Sequence, residues 1–139
     1  MGRRQTRSQA REQAFSLIFQ LGQNNEEPEF LIEQMLEEYP ESADNLAYIK
    51  GTVYGVCERK EELIGKISAV LPDHRAADRL SKAVFAILLL AVYEIGYAAD
   101  VPEKVAINEA VELAKKYAED DAPAFVNGAL SGIVGNKEE

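Results

Sequence analysis

An all-α fold of about seven helices is what this 139-residue sequence predicts, and three observations predict it. Apolar residues recur at helical spacing through almost the whole chain, with no alternating strand pattern. Glycine, proline and Asx residues divide that pattern into segments of helix length. One segment, 83–97, is apolar nearly all round, which marks it as the central and most buried element.

The first helix is carried by Ala10, Ala14, Leu17, Ile18 and Leu21 and stops at Gly22, with Asn24 and Asn25 beyond. Extended toward the N-terminus, it projects Arg4, Arg7, Arg11 and Phe15 beside that stripe and Phe19 further round, so that cations and rings share a surface. Pro28 suits the first turn of a second, acidic helix running to about Tyr39, and Pro40 with Ser42 or Asp44 offers a stop and a new cap. A long third helix follows on the seam Leu46, Ile49, Val53, Val56, Leu63, Ile67 and Val70, up to the break at Pro72 and Asp73. A short helix over 75–81 precedes the central one.

Val101 before Pro102 ends the central segment, because a residue before proline avoids the helical region. The next helix, 105–118, places Ile107, Ala110, Val111, Ala114, Tyr117 and Ala118 on one face. Asn108 there and Asn127 further on are weak helix formers whose placement propensity does not explain. Asp120 and Asp121 cap a last helix with the seam Phe125, Val126, Ala129, Leu130 and Ile133, stopped by Gly135 and Asn136. Gly51 with Gly55, and Gly128 with Gly132, are each one turn apart and are expected to let a neighbouring helix approach closely.

Composition narrows the function. With 47% hydrophobic and 28% charged residues the chain can bury a core as one domain or two tightly fused halves. A net charge of −9 argues against a nucleic-acid partner as a sum, yet its distribution does not. Arg3, Arg4, Arg7 and Arg11 all precede the first acid, Glu12, whereas the run from Glu26 to Asp44 contains no Lys or Arg. The lone Cys57 reads as a buried core thiol in a reducing cytosol, and segment 83–93 is too short to span a bilayer. His74 is the single histidine, there is no glycine-rich phosphate loop, and the acidic run reads as a solvated face. No catalytic set, metal site or cofactor site is expected. An arginine arm beside aromatic rings suits single-stranded nucleic acid, whose unpaired bases stack on rings while cations follow the phosphates.

Several motifs then carry a resemblance: Ala10-Arg-Glu-Gln-Ala-Phe-Ser-Leu-Ile-Phe-Gln20, Tyr54-Gly-Val56, Asp78-Arg-Leu80, Ala91-Val-Tyr-Glu-Ile95, Val101-Pro-Glu-Lys-Val-Ala-Ile-Asn-Glu-Ala-Val-Glu-Leu-Ala-Lys115 and Phe125-Val-Asn-Gly-Ala-Leu130. In order and spacing they resemble the NusB family of bacterial transcription antitermination factors. The resemblance implies two small fused helical bundles, about 1–71 and 75–135, and a non-enzymatic, cytoplasmic role. It implies binding of boxA-type single-stranded RNA together with the ribosomal protein NusE, within an RNA polymerase antitermination complex acting notably on ribosomal RNA operons. Carried over by position, the RNA-binding residues are Arg3, Arg4, Arg7, Arg11, Phe19, Lys104, Asp121 and Phe125. Phe125 also fits a core position, and Asp121 also fits a helix cap.

The sequence departs from the family pattern at several of these places. Of three consecutive basic residues usual before Ala10-Arg11-Glu12, Arg7 remains, followed by Ser8 and Gln9, with Arg3 and Arg4 upstream as replacements. Phe19 stands where a tyrosine is usual, and Glu103 and Ala124 replace residues that favour RNA. Val84, Phe85 and Leu89 replace an acidic and two basic residues, which predicts a more apolar surface there. A second reading follows from that surface: a homodimerising helical interaction module without specific RNA binding.

Overall fold

The structure is a computed structural model that describes residues 4–72 and 79–138, with side chains described as far as Gly135. Seven α-helices and one 3-10 turn account for the regular structure among those residues. Arg3, His74, most of the expected 75–81 helix and Asp78 lie outside the described residues. The chain forms two compact units, Met1–Glu58 and Arg59–Glu139.

In the first unit, α1 (Arg7–Gln23) packs against α2 (Pro28–Glu38) and α3 (Leu46–Glu58), and the 3-10 turn Pro40–Asn45 joins the last two. Helix α1 starts where it does because Thr6 and Gln9 form a reciprocal cap. The Thr6 hydroxyl accepts the Gln9 N–H at 3.1 Å and the Gln9 side chain accepts the Thr6 N–H at 2.9 Å, pairing donors the helix itself leaves unmet. Pro28 opens α2, where its missing N–H costs nothing. The expected stripe of α1 is buried at Ala10, Ala14, Leu17 and Ile18, and Ile32, Ile49 and Val53 are likewise enclosed. Each of these leucine, isoleucine and valine side chains contributes about 1.5–3 kcal/mol over leaving it in water.

The second unit is α4 (Lys60–Ala69), α5 (Lys82–Tyr97), α6 (Glu103–Tyr117) and α7 (Ala122–Glu138). Helix α5 packs against α4, α6 and α7, and α6 lies along α7. Ser81 caps α5 by accepting the Val84 N–H at 3.2 Å. Ten of the sixteen α5 residues are buried, as its near-continuous apolarity requires.

Five expectations are corrected here. The seam from Leu46 to Val70 is not one helix: it breaks at Arg59 (φ −113°, ψ 17°), where Glu58 to Glu62 present no apolar side chain to hold a continuous helix against a neighbour. Cys57 is exposed in the last turn of α3 rather than a core thiol. The buried face of α6 is Ala106, Ala110, Leu113 and Ala114, with Ile107 and Val111 half-buried and Tyr117 exposed. That face is set by the two helices flanking α6, and alanines let both come close. Helix α7 runs to Glu138, past the stop expected at Gly135 and Asn136. Finally, Val84 and Leu89 are each 3% exposed and Phe85 is half-buried, so apolar residues stand there because the helix is packed, not to display an adhesive surface.

The glycines divide similarly. A Cβ on Gly132 would meet Val70 Cγ1 at 3.3 Å, so α7 does approach the end of α4 through that position. Gly51 and Gly128 are exposed with nothing within 4 Å of such an atom, and close packing does not account for them.

Candidate nucleic-acid interface

The basic segment at the N-terminus is built into the first unit from Gln5 onward. Gln5 is 8% exposed, and its backbone N–H donates to Asp44 Oδ2 at 2.9 Å. Its side-chain amide donates to Gln13 Oε1 at 2.9 Å and to Ser42 Oγ at 3.4 Å, and the Ser42 hydroxyl donates to Gln13. Asn45 closes the set by donating to the Gln5 carbonyl and to Gln5 Oε1, each at 3.1 Å. Residues far apart in sequence thereby fix where α1 begins.

Arg7, exposed at the first position of α1, lies against this network. Its Nε donates to Asn45 Oδ1 at 3.2 Å, and its guanidinium carbon sits 4.4 Å from the centroid of the Tyr48 ring. The Arg11 guanidinium carbon lies 5.6 Å from the same ring. Cation–π contacts of this kind are worth about 0.5–1 kcal/mol at exposed sites and more when desolvated. Arg11 differs from Arg7 in being 3% exposed, so its charge is enclosed rather than displayed. Among the described residues no buried side-chain polar atom lacks a hydrogen-bond partner, as enclosed charges demand. Arg4 is exposed just upstream.

Rings and cations do share this surface, but the ring is Tyr48 on α3. Phe15 is 5% exposed, while Phe19 is half-buried with its ring centroid 6.2 Å from that of Phe15. Tyr48, Asn45 and Gln5 are the residues the sequence reading missed. The one available signal was weak: Tyr48 sits one position off the α3 seam, at the border between its buried and exposed faces.

In the second unit, Lys104 is exposed in the first turn of α6. A cation there opposes the helix dipole, unlike Lys115 and Lys116 in the last turn, so helix stability does not explain it. Asp121 is exposed at the head of α7, its carbonyl accepting the Phe125 N–H at 3.3 Å, where a negative charge suits the helix start. Phe125 is 37% exposed, whereas Val126, Leu130 and Ile133 on the same helix are buried, which settles its two readings in favour of exposure. Asn108 and Asn127 are also exposed. Among the described residues no group of His, Cys, Asp and Glu could hold a metal ion, and no helix is long and apolar enough to cross a membrane.

A model of the NusB family matches residues 8–134 of this sequence. The chain belongs to the NusB family. It is 42% identical over 127 residues to the transcription antitermination protein NusB of Bacillus velezensis, covering 91% of this chain and 94% of that one. Against the NusB of Clostridium novyi the identity is 39% over 130 residues, 92% of this chain and 97% of its relative. Solved NusB structures agree in fold. T. maritima NusB superposes with a TM-score of 0.84 at 30% identity, covering 96% of this chain and 93% of that one. A NusB-like chain in a crystal structure of antitermination factors NusB and NusE in complex with dsRNA gives 0.84 at 30% identity, covering 94% and 96%.

Proposed function

We propose that this chain is a non-catalytic, cytoplasmic transcription antitermination factor that binds boxA-type single-stranded RNA together with ribosomal protein NusE. Through them it acts on RNA polymerase, notably in ribosomal RNA operons. The observation that carries this reading is membership of the NusB family over residues 8–134, beside a solved assembly of NusB and NusE with dsRNA. The residues assigned to RNA are Arg3, Arg4, Arg7, Arg11 and Phe19 in the first unit and, separately, Lys104, Asp121 and Phe125 in the second. Exposed rings at Phe125 and, in part, Phe19 favour unpaired bases, because the faces of paired bases are already stacked. Homodimerisation through Val84 and Leu89 is not favoured, since both are enclosed.

Titration of boxA-like, scrambled and double-stranded RNA, with and without NusE and at two salt concentrations, tests the reading. Tightest binding to the boxA-like single strand in the presence of NusE is expected. Equal binding to all three RNAs under every condition would overturn it.

A further inference from the structure

We propose that Tyr48, assisted by Asn45, is a positioning residue for RNA: it touches no nucleotide itself and holds the Arg7 guanidinium in the orientation that meets a phosphate. This rests on the RNA-binding reading above. Arg7 is exposed, and an exposed arginine ordinarily samples many rotamers whose loss opposes binding. Two contacts from different directions limit that freedom here. The Tyr48 ring lies under the guanidinium at 4.4 Å, and Asn45 Oδ1 accepts from Nε at 3.2 Å.

Neither contact is loose in turn. Asn45 is anchored by its two bonds to Gln5, and Gln5 is enclosed and bonded to Gln13. Tyr48 is half-buried on α3, a helix that packs directly on α1, and it neighbours the buried Ile49. The dipole of α1 gives Arg7 no help, since a cation at a helix N-terminus opposes it. Ser8 and Gln9 carry no charge, so in that turn the whole cationic contribution falls on one correctly aimed side chain. A planar guanidinium fixed in this way presents its fork to a phosphate in a defined plane, which a mobile one does not.

The test is a double-mutant cycle on the full chain with NusE, using fluorescence anisotropy of a labelled boxA-like RNA across a salt series. Arg7→Ala is expected to weaken binding about tenfold and to flatten the dependence of log affinity on log salt by about 0.7, the loss of one phosphate contact on a single strand. Tyr48→Leu should produce a similar flattening and a loss of roughly fivefold, and should have no further effect on an Arg7→Ala background. Tyr48→Phe, which keeps the ring face, should bind within about twofold of the unaltered chain. Should Tyr48→Leu fail to fold, as judged by circular dichroism, the order parameter of the Arg7 Nε–H in the unaltered chain and in Tyr48→Phe decides: a rigid group in both is expected, and a freely mobile one overturns the proposal. An unaltered slope in Tyr48→Leu, or losses that add fully to those of Arg7→Ala, would sink it as well. If the unaltered chain does not distinguish boxA-like from scrambled RNA, the RNA-binding reading itself fails, which is a separate outcome.

Discussion

Arg7 at the first position of α1 and Arg11 one turn further on both approach Tyr48, yet burial gives them opposite consequences. Removing the enclosed Arg11 side chain strips away a packed aliphatic stem and a satisfied buried charge. Arg11→Ala is therefore expected to destabilise the fold by about 1–3 kcal/mol in urea unfolding. Arg7→Ala should cost only about 0.5–1 kcal/mol there, the worth of an exposed cation–π contact, while changing the salt dependence of RNA binding. Phe125→Ala belongs with Arg7: an exposed ring contributes little to the fold, and its loss should weaken binding to a single strand by about 1–3 kcal/mol. The sequence shows the basic arm and its aromatic neighbours, but the spacing of Arg7 and Arg11 is the same helical spacing whether a side chain is covered or not. Burial depends on what packs across from it.

Between elements, polar clamps on the surface supplement the apolar seams. The Tyr54 hydroxyl of α3 donates to Glu29 of α2, and Lys50 lies 3.6 Å from the same carboxylate. That hydrogen bond pushes the Tyr54 hydroxyl from its ordinary 10 up to about 12 and, with Lys50, holds Glu29 below the ordinary carboxylate value. A raised tyrosine pKa means stability that is present below pH 10 and lost as pH climbs toward 12. A lowered carboxylate pKa means stability present above pH 4.5 and lost as pH falls through the depressed value. Tyr54→Phe should therefore return Glu29 toward the ordinary range in a carboxylate NMR titration; an unmoved Glu29 would assign its shift to Lys50. Tyr97 and Glu62 make the same kind of clamp between α5 and α4, with the Arg59 guanidinium carbon 4.3 Å from the Tyr97 ring. On α7, Gly128→Ala should raise stability by about 0.5–1 kcal/mol, the propensity gain at an open helical site, whereas Gly132→Ala should gain less because its Cβ crowds Val70. Thermal unfolding of the two variants gives the comparison. Element order was legible from periodicity and punctuation because both act locally; the break at Arg59 was not, because it requires knowing which neighbours α3 and α4 each choose.

At the scale of the whole molecule, the surplus of acid and the basic start of the chain are compatible because the charges are segregated along the sequence. On the proposed function, attraction to RNA depends on local field rather than net charge, and it should weaken steeply with salt. With Val84 and Leu89 enclosed, light scattering over a concentration series should give the mass of a monomer. A stable dimer would show that another surface drives association.

The sequence by itself determined the helical class, most element boundaries, the buried character of α5 and membership of a family whose motifs run almost end to end. These depend on residue period, on capping and breaking residues, and on motif order, all properties of the linear chain. Tertiary structure decided which face of α6 is covered, that Arg11 is enclosed and Arg7 displayed, that Phe125 is exposed, and that Val84 and Leu89 are core. It also supplied Tyr48 and Asn45, which no spacing connects to Arg7, and the bonds by which Gln5 anchors Asn45. The contacts to Arg7 exist because α3 and the 3-10 turn before it pack back onto α1, and a side chain's surroundings are set by the element across from it as much as by its own.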